Sequence, residues 1–430
     1  MRDSSSGRAM RRHVFFAAGY HPMTVADHFR VFGRELKRFG SVWSVDANVL
    51  DDAPQPTPTG ALWRARAAGP GWETRATFEI LAWDDLAAAD MQRSPWSHLK
   101  GQINAVADMI ASGTLARYFR ASRRYGLFFL FTYLLLATLW IIAASLGTAA
   151  GLWLGPVIGG LGAGIAGVLI ATACSFALMR WPGRRLHLKQ SLDLAEFSVD
   201  FAHGRHPEVD ARVAAFARRI AAVEAQARAG GDVDEIVVAG HSLGAMHMIC
   251  ALAQALDLDP AFGHTVPVRL LTLGSTTAKF ALHPAGARLR AAAGRVAAAP
   301  AIGWLEIQSR DDIVSFYKVN PVTLGPAEIV DRKLKRGDYS HRPLVRHAAI
   351  RDMITPATYR RFSLDVMRLH CQCFLAGDKR AAHDFYAYVC GPLPFDALAA
   401  DTGGLLSYVD ESGRLKPRPA GTSAPAPSNR

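Results

Sequence analysis

Ile236-Val237-Val238-Ala239-Gly240-His241-Ser242-Leu243-Gly244-Ala245 is the stretch that decides how this chain is read. A β-branched run breaks at one glycine, and a helix of small residues, Ala245 to Ala253, begins just past a second. A serine on so tight a strand-to-helix turn needs neighbours without side chains, because the backbone must bend sharply around it. Its hydroxyl then projects above the sheet, where the dipole of the following helix favours a developing negative charge.

Outward from this turn, the pattern of strands and helices continues. Residues His206 to Ala229 carry Val213, Phe216, Ile220 and Val223 on one helical face and stop at Gly230-Gly231, which feeds the strand from Glu235. Val266 to Gly274 and Ile302 to Ser309 read as further strands, and Pro343 to Ile350 as the last one. On the N-terminal side, His13 to Gly19 reads as a strand, Val25 to Phe39 as an amphipathic helix, and Ser41 to Asn48 and Thr74 to Trp83 as strands. This alternation predicts an α/β protein with a doubly wound, mostly parallel sheet.

The G-x-S-x-G pentapeptide, here Gly240-His241-Ser242-Leu243-Gly244, resembles the nucleophile elbow of the α/β-hydrolase superfamily, and within it the lipase and esterase branch. The resemblance is close over the elbow and its flanks, and elsewhere rests on the order of elements. It implies a serine nucleophile at Ser242 followed in the chain by an acid and then a histidine. Asp312, in Asp312-Ile313-Val314 directly after the Ile302 strand, fits the acid, with Asp311 as the alternative. For the base, His341 and His347 flank or join the last strand, leaving His370 and His383. His370 falls in line with Phe362, Val366 and Phe374 on a helix read from Tyr359 to Phe374, whereas His383 follows the turn Gly377-Asp378-Lys379. The oxyanion would take one amide from Leu243 and a second from the turn at Tyr20 or His21.

No Asp, Glu, Lys, Arg or His occurs between Arg124 and Arg180. Leu127 to Gly147 supplies about 21 residues, enough to cross a bilayer, and Leu152 to Met179 supplies a second crossing. Gly147, Gly151, Gly155 and Pro156 would make the turn, and Gly155/Gly159 and Gly160/Gly164 have the small-xxx-small spacing through which helices, or copies of the chain, pair. Arg117, Arg120, Arg123 and Arg124 precede the pair, and Arg180, Arg184, Arg185 and Lys189 follow it. Both outer ends are therefore expected on the cytoplasmic side of an inner membrane. The expected division is an N-terminal tail to residue 12, a first part of the sheet domain from 13 to 124, the hairpin from 125 to 180, the main part from 181 to 413, and a disordered tail from Arg414.

With 430 residues and a net charge of +12, the chain has its arginines clustered at the edges of the apolar stretch and no nucleic-acid motif, so anionic lipid is the expected acidic partner. The N-terminal patch Val14 to Ala18 is too short for a secretory signal. Five cysteines include Cys174 and Cys250 in apolar settings, and Cys371 and Cys373 lack a second pair at metal spacing. Neither a zinc site, a disulfide nor a cofactor is expected from that spacing. The expected activity is hydrolysis of lipophilic carboxylic esters or lipids through an acyl-enzyme on Ser242, the other reading being a hydrolase-like scaffold without catalysis.

Overall fold

A computed structural model describes residues 9 to 415 and shows two compact units. One comprises residues up to Ala88, His206–Ala281 and Ala285 onward; the other comprises Ala89–Arg205 and Leu282–Pro284.

The first unit is an α/β body around a nine-stranded mixed sheet. Its strands are β1 (Met10–Ala17), β2 (Asp46–Val49), β3 (Gln55–Thr57), β4 (Gly60–Gly69), β5 (Trp72–Leu81), β6 (Glu235–His241), β7 (Val268–Leu273), β8 (Ile302–Gln308) and β9 (Leu344–His347). They run in the order β2-β4-β5-β1-β6-β7-β8-β9, with β3 paired to β4. From β5 through β9 every pairing is parallel, and the β2, β3 and β5 contacts with β4 are antiparallel. Strands β6 and β8 are buried at every position. That burial explains why Ile236 to Ala239 and Ile302 to Leu305 read as continuous apolar runs rather than as alternating ones.

Several sequence expectations need correction here. The helix from Val25 does not stop near Phe39 but runs to Trp43, because Phe32, Leu36, Phe39 and Trp43 keep one face in the core; Ser44, at φ 55°, ends it, so the strand expected from Ser41 begins only at Asp46. The helix expected from Tyr359 to Phe374 is broken into Pro356–Phe362, Val366–Cys371 and a 3₁₀ turn, with the Asp365 side chain capping the second piece at the Arg368 amide (2.9 Å). The N-terminal tail is shorter than expected. Met10 to Arg12 belong to β1, and the buried Arg12 guanidinium bonds to Glu235 on β6 (2.6 Å). Likewise Arg414 and Leu415 are ordered, through the Asp410 carboxylate and a bridge to Val409; the remaining tail positions lie outside the described residues.

Between β7 and β8 lies a buried polar thread. The Trp304 indole donates to the Thr272 hydroxyl (2.8 Å), which donates to Glu306, and Gln308 approaches the same carboxyl at 3.5 Å. Burial pushes the Glu306 carboxyl up from 4.5 to about 8, only partly offset by the bonds from Thr272 and Gln308. An unfolded chain ionises this group near its ordinary value while the native chain still holds the proton, so the Glu306 contribution to stability falls as pH rises from 4.5 towards 8 and is flat above. Glu306→Gln is expected to match the parent near pH 4.5 and to exceed it at pH 8 by an amount on the order of a few kcal/mol, read from denaturation curves at the two pH values. A variant less stable than the parent at the higher pH would refute the neutral buried acid.

The second unit is helical. Its longest element, Arg123–Arg180, has 58 residues, with a mean hydropathy of 2.3 over its most apolar 18-residue window, and is apolar and long enough to cross a membrane. It is not straight. Gly159 has φ 76° and ψ 162°, and a Cβ on Gly147 would lie 2.4 Å from the Gly167 carbonyl and 2.6 Å from Ala171. The chain therefore folds back at Gly159, not in the Gly147 to Pro156 segment expected from sequence; Pro156 is accommodated inside the first arm. Gly147, Gly151 and Gly167 line the contact between the arms, whereas a Cβ on Gly155, Gly160 or Gly164 would meet nothing. Glycines at the crossing allow backbone to approach backbone, which fixes where the arms touch. Only 22% of the most apolar window is buried, and Trp140, Leu152, Trp153, Leu161 and Phe176 are exposed. Alongside, the helix Pro95–Ala111 lies against Leu188–Ala202, where a Cβ on Gly101 would overlap the Glu196 carboxylate.

Candidate active site

Strand β6 ends at His241, and the next residue, Ser242, holds φ 56° and ψ −118° before the helix Leu243–Leu258 begins. A non-glycine residue keeps such a backbone only when its surroundings dictate it. They do so here through both glycines of the pentapeptide: a Cβ on Gly240 would sit 2.5 Å from the Gly244 carbonyl oxygen, and a Cβ on Gly244 would sit 2.1 Å from the Ala17 carbonyl oxygen at the end of β1. The Ser242 amide donates to the Leu273 carbonyl (3.0 Å), tying the turn to the end of β7. Ser242 is buried but not sealed, at 6% exposure.

Asp312 follows β8 by four residues. Its Oδ1 accepts from the amides of Val314 (2.9 Å) and Ser315 (3.2 Å), and its Oδ2 accepts from His370 Nδ1 (2.8 Å). Burial alone would raise this carboxyl; the His370 ring and the bonds from Ser315 and Val314 outweigh it and hold Asp312 below the usual carboxylate range. His370 Nδ1 is thus occupied, which directs Nε2 away from the acid. Nε2 is buried and has no hydrogen-bond partner among the described residues. This is the arrangement in which a carboxylate fixes the tautomer of an imidazole and leaves its far nitrogen for a proton.

Three further groups hold these residues, in roles that no local pattern marks. The His241 ring lies 4.5 Å from the His370 ring, and its Nε2–H donates to the His370 carbonyl (3.1 Å). Burial, and then the neighbouring His370, pushes His241 down to about 3, so it is a neutral strut. Gly274, at φ 52°, leaves room for Asp312 and His370, which a Cβ would approach to 3.0 and 3.3 Å. Gly19 does the same for Ser242, whose Cβ and Oγ would be 2.9 and 3.4 Å from an added Cβ. No spacing rule reveals such contacts, because each joins segments far apart in the chain, from 38 residues for Gly274 and Asp312 to 223 for Gly19 and Ser242.

Of the expected residues, the structure pairs Asp312 with His370, while Ser242 follows β6, two strands from β8, and its chain neighbour His241 contacts His370. It does not bring His383 there: that ring is buried and donates to the Cys373 carbonyl (2.7 Å), as a core residue does. Asp311 points instead to Arg351 (3.2 Å) and Tyr359 (3.4 Å). His341 faces Glu328, and His347 lies on β9 beside Tyr317. For the oxyanion donors, Leu243 is the first residue of its helix, where an amide lacks an intrahelical partner. In the Gly19 turn the His21 amide donates to the Gly19 carbonyl (2.8 Å), so His21 is engaged within the turn. Tyr20 is buried with its ring near Trp83, whose indole donates to the Ala18 carbonyl (2.9 Å) and steadies that loop. Compared with known proteins, the chain matches no family model, no curated protein and no solved structure.

Proposed function

We propose that this chain is a membrane-anchored serine hydrolase of the α/β-hydrolase type that cleaves carboxylic esters of lipophilic character. The observation that carries the reading is the His370–Asp312 pair with an unpartnered Nε2, joined through His241 to the turn that holds Ser242 at positive φ. In the reaction, His370 takes the Ser242 proton as Oγ attacks the ester carbonyl. The Leu243 amide, with one from the Tyr20–His21 turn, holds the oxyanion. His370 then returns the proton to the departing alcohol, and water, activated by the same imidazole, releases the acid. The Oγ to Nε2 hydrogen bond is expected to form in the substrate complex. The folded-back Arg123–Arg180 segment anchors the chain in an inner membrane with both ends cytoplasmic, as its flanking arginines direct. Exposed apolar side chains along both arms suit lipid contact. Tethering supplies a high local concentration of esters dissolved in the same bilayer.

One experiment tests both parts. A fluorophosphonate probe applied to membranes from cells making the full chain is expected to label the parent and not Ser242→Ala. The labelled band is expected to stay in the membrane after a carbonate wash and to resist protease added to intact spheroplasts. Labelling that persists in Ser242→Ala would refute the nucleophile, and absence of labelling would favour a scaffold without catalysis. Release by carbonate would refute the anchor.

A further inference from the structure

In the second unit, three side chains from distant parts of the chain meet at one point. His203 Nε2 lies 2.9 Å from Asp108 Oδ2, His283 Nε2 lies 2.6 Å from Asp108 Oδ1, and one nitrogen from each ring and a carboxylate oxygen all fall within 4.8 Å of one another. The two imidazoles are 5.1 Å apart between centroids and inclined at 67°. We propose that Asp108, His203 and His283 form a binding site for a borderline-soft divalent ion such as zinc.

Two imidazoles and one carboxylate are a donor set that such ions take, with metal–ligand bonds of about 2.0–2.2 Å. Bonds of that length put tetrahedral ligand atoms roughly 3.3 Å apart; the two histidine–Asp108 contacts, at 2.9 and 2.6 Å, are somewhat shorter, so ligation would spread the side chains slightly. The supports are firm: Asp108 lies on the helix Pro95–Ala111, and His203 caps the end of Leu188–Ala202, its amide bonded to the Val199 carbonyl. His283 is buried, while the His203 side chain is 30% exposed, which leaves a way in and a position for water as fourth ligand. Asp108 also lines a cavity of about 360 Å³ together with Lys100, Asn104 and Arg205. Bridging positions 95 and 175 residues apart, the ion would clip long loops and so stabilise the unit. The expectation that no zinc binds rested on cysteine spacing, to which a set drawn from residues 108, 203 and 283 is invisible.

The test uses untagged full-length protein in detergent, stripped with a chelator and titrated with zinc against a chromophoric competitor. The parent is expected to take one ion per chain and to melt at a higher temperature with zinc than without. Cobalt in its place is expected to give the visible absorption of a four-coordinate nitrogen and oxygen site. His203→Ala, at the exposed ligand, and Asp108→Asn are expected to bind at least about 10- to 100-fold more weakly, since losing even an outer partner of a ligand costs that much. They should also lose the zinc-dependent rise in melting temperature. Unchanged helicity of His203→Ala by circular dichroism shows that the fold survives, and probe labelling at Ser242 in that variant keeps this test separate from the hydrolase reading. A parent that takes up no zinc, or a folded His203→Ala that binds as the parent does, overturns the proposal.

Discussion

Ester turnover by Ser242→Ala and by His370→Ala is expected to fall by roughly 10⁴- to 10⁶-fold each, and the double variant is expected to be no slower than the slower single one. The reason is that nucleophile and base act as a unit. Without the imidazole the hydroxyl keeps its proton, and without the hydroxyl the imidazole has nothing to activate. Both variants keep the backbone that sets the turn, so their melting temperatures should stay close to the parent's. Removing His370 also releases the proton donor of Asp312, leaving a buried carboxylate with only the Val314 and Ser315 amides, so the modest loss of stability expected should be larger there than at Ser242. His383→Ala is the matched control, because its ring bonds to the Cys373 carbonyl and not to the acid. The measurement is kcat on short and medium chain nitrophenyl esters with purified protein in detergent. Activity surviving in His370→Ala but lost in His383→Ala would show that the base had been assigned to the wrong ring.

Gly244→Val is expected to cost more than about 3 kcal/mol and to leave little folded protein. An added Cβ would lie 2.1 Å from the Ala17 carbonyl oxygen and 2.6 Å from that of Ala18, and neither is a flexible side-chain end that can swing aside. Relief would need β1 to part from the elbow helix, and β1 lies near the middle of the sheet, between β5 and β6. Gly294→Ala is the contrasting case. It lies inside the helix Ala287–Ala298 with nothing near an added Cβ, so the change is expected to be neutral or to stabilise by roughly 0.5–1 kcal/mol. Folded yield and thermal melts of the two variants check both. A Gly244→Val protein with parental stability would mean that the close approach of elbow and β1 is not maintained in solution.

Local chemistry made part of this protein readable in one dimension. The β-branched run, the two glycines and the small-residue helix after Ser242 each follow from backbone sterics within ten residues, and the uncharged stretch between Arg124 and Arg180 follows from composition alone. Asp312 stood out for a similar reason: it follows a strand whose apolar run marks its end. Where competing local signals were close, tertiary burial decided. Trp43 drew its helix past the expected stop, and the Asp365 cap split a helix that periodicity had joined. At Gly159 the reversal went to a glycine able to take positive φ, although an earlier cluster of glycine and proline looked more like a turn.

Sequence by itself determined the α/β alternation, the serine at its bend and the apolar segment, because each is fixed by neighbours along the chain. Only the tertiary structure decided that His370 rather than His383 meets Asp312, that His241 braces it, and that Asp108, His203 and His283 share one point. Those choices depend on which distant segments the sheet and helices bring within a hydrogen bond's length, and no spacing in the sequence encodes a distance through space.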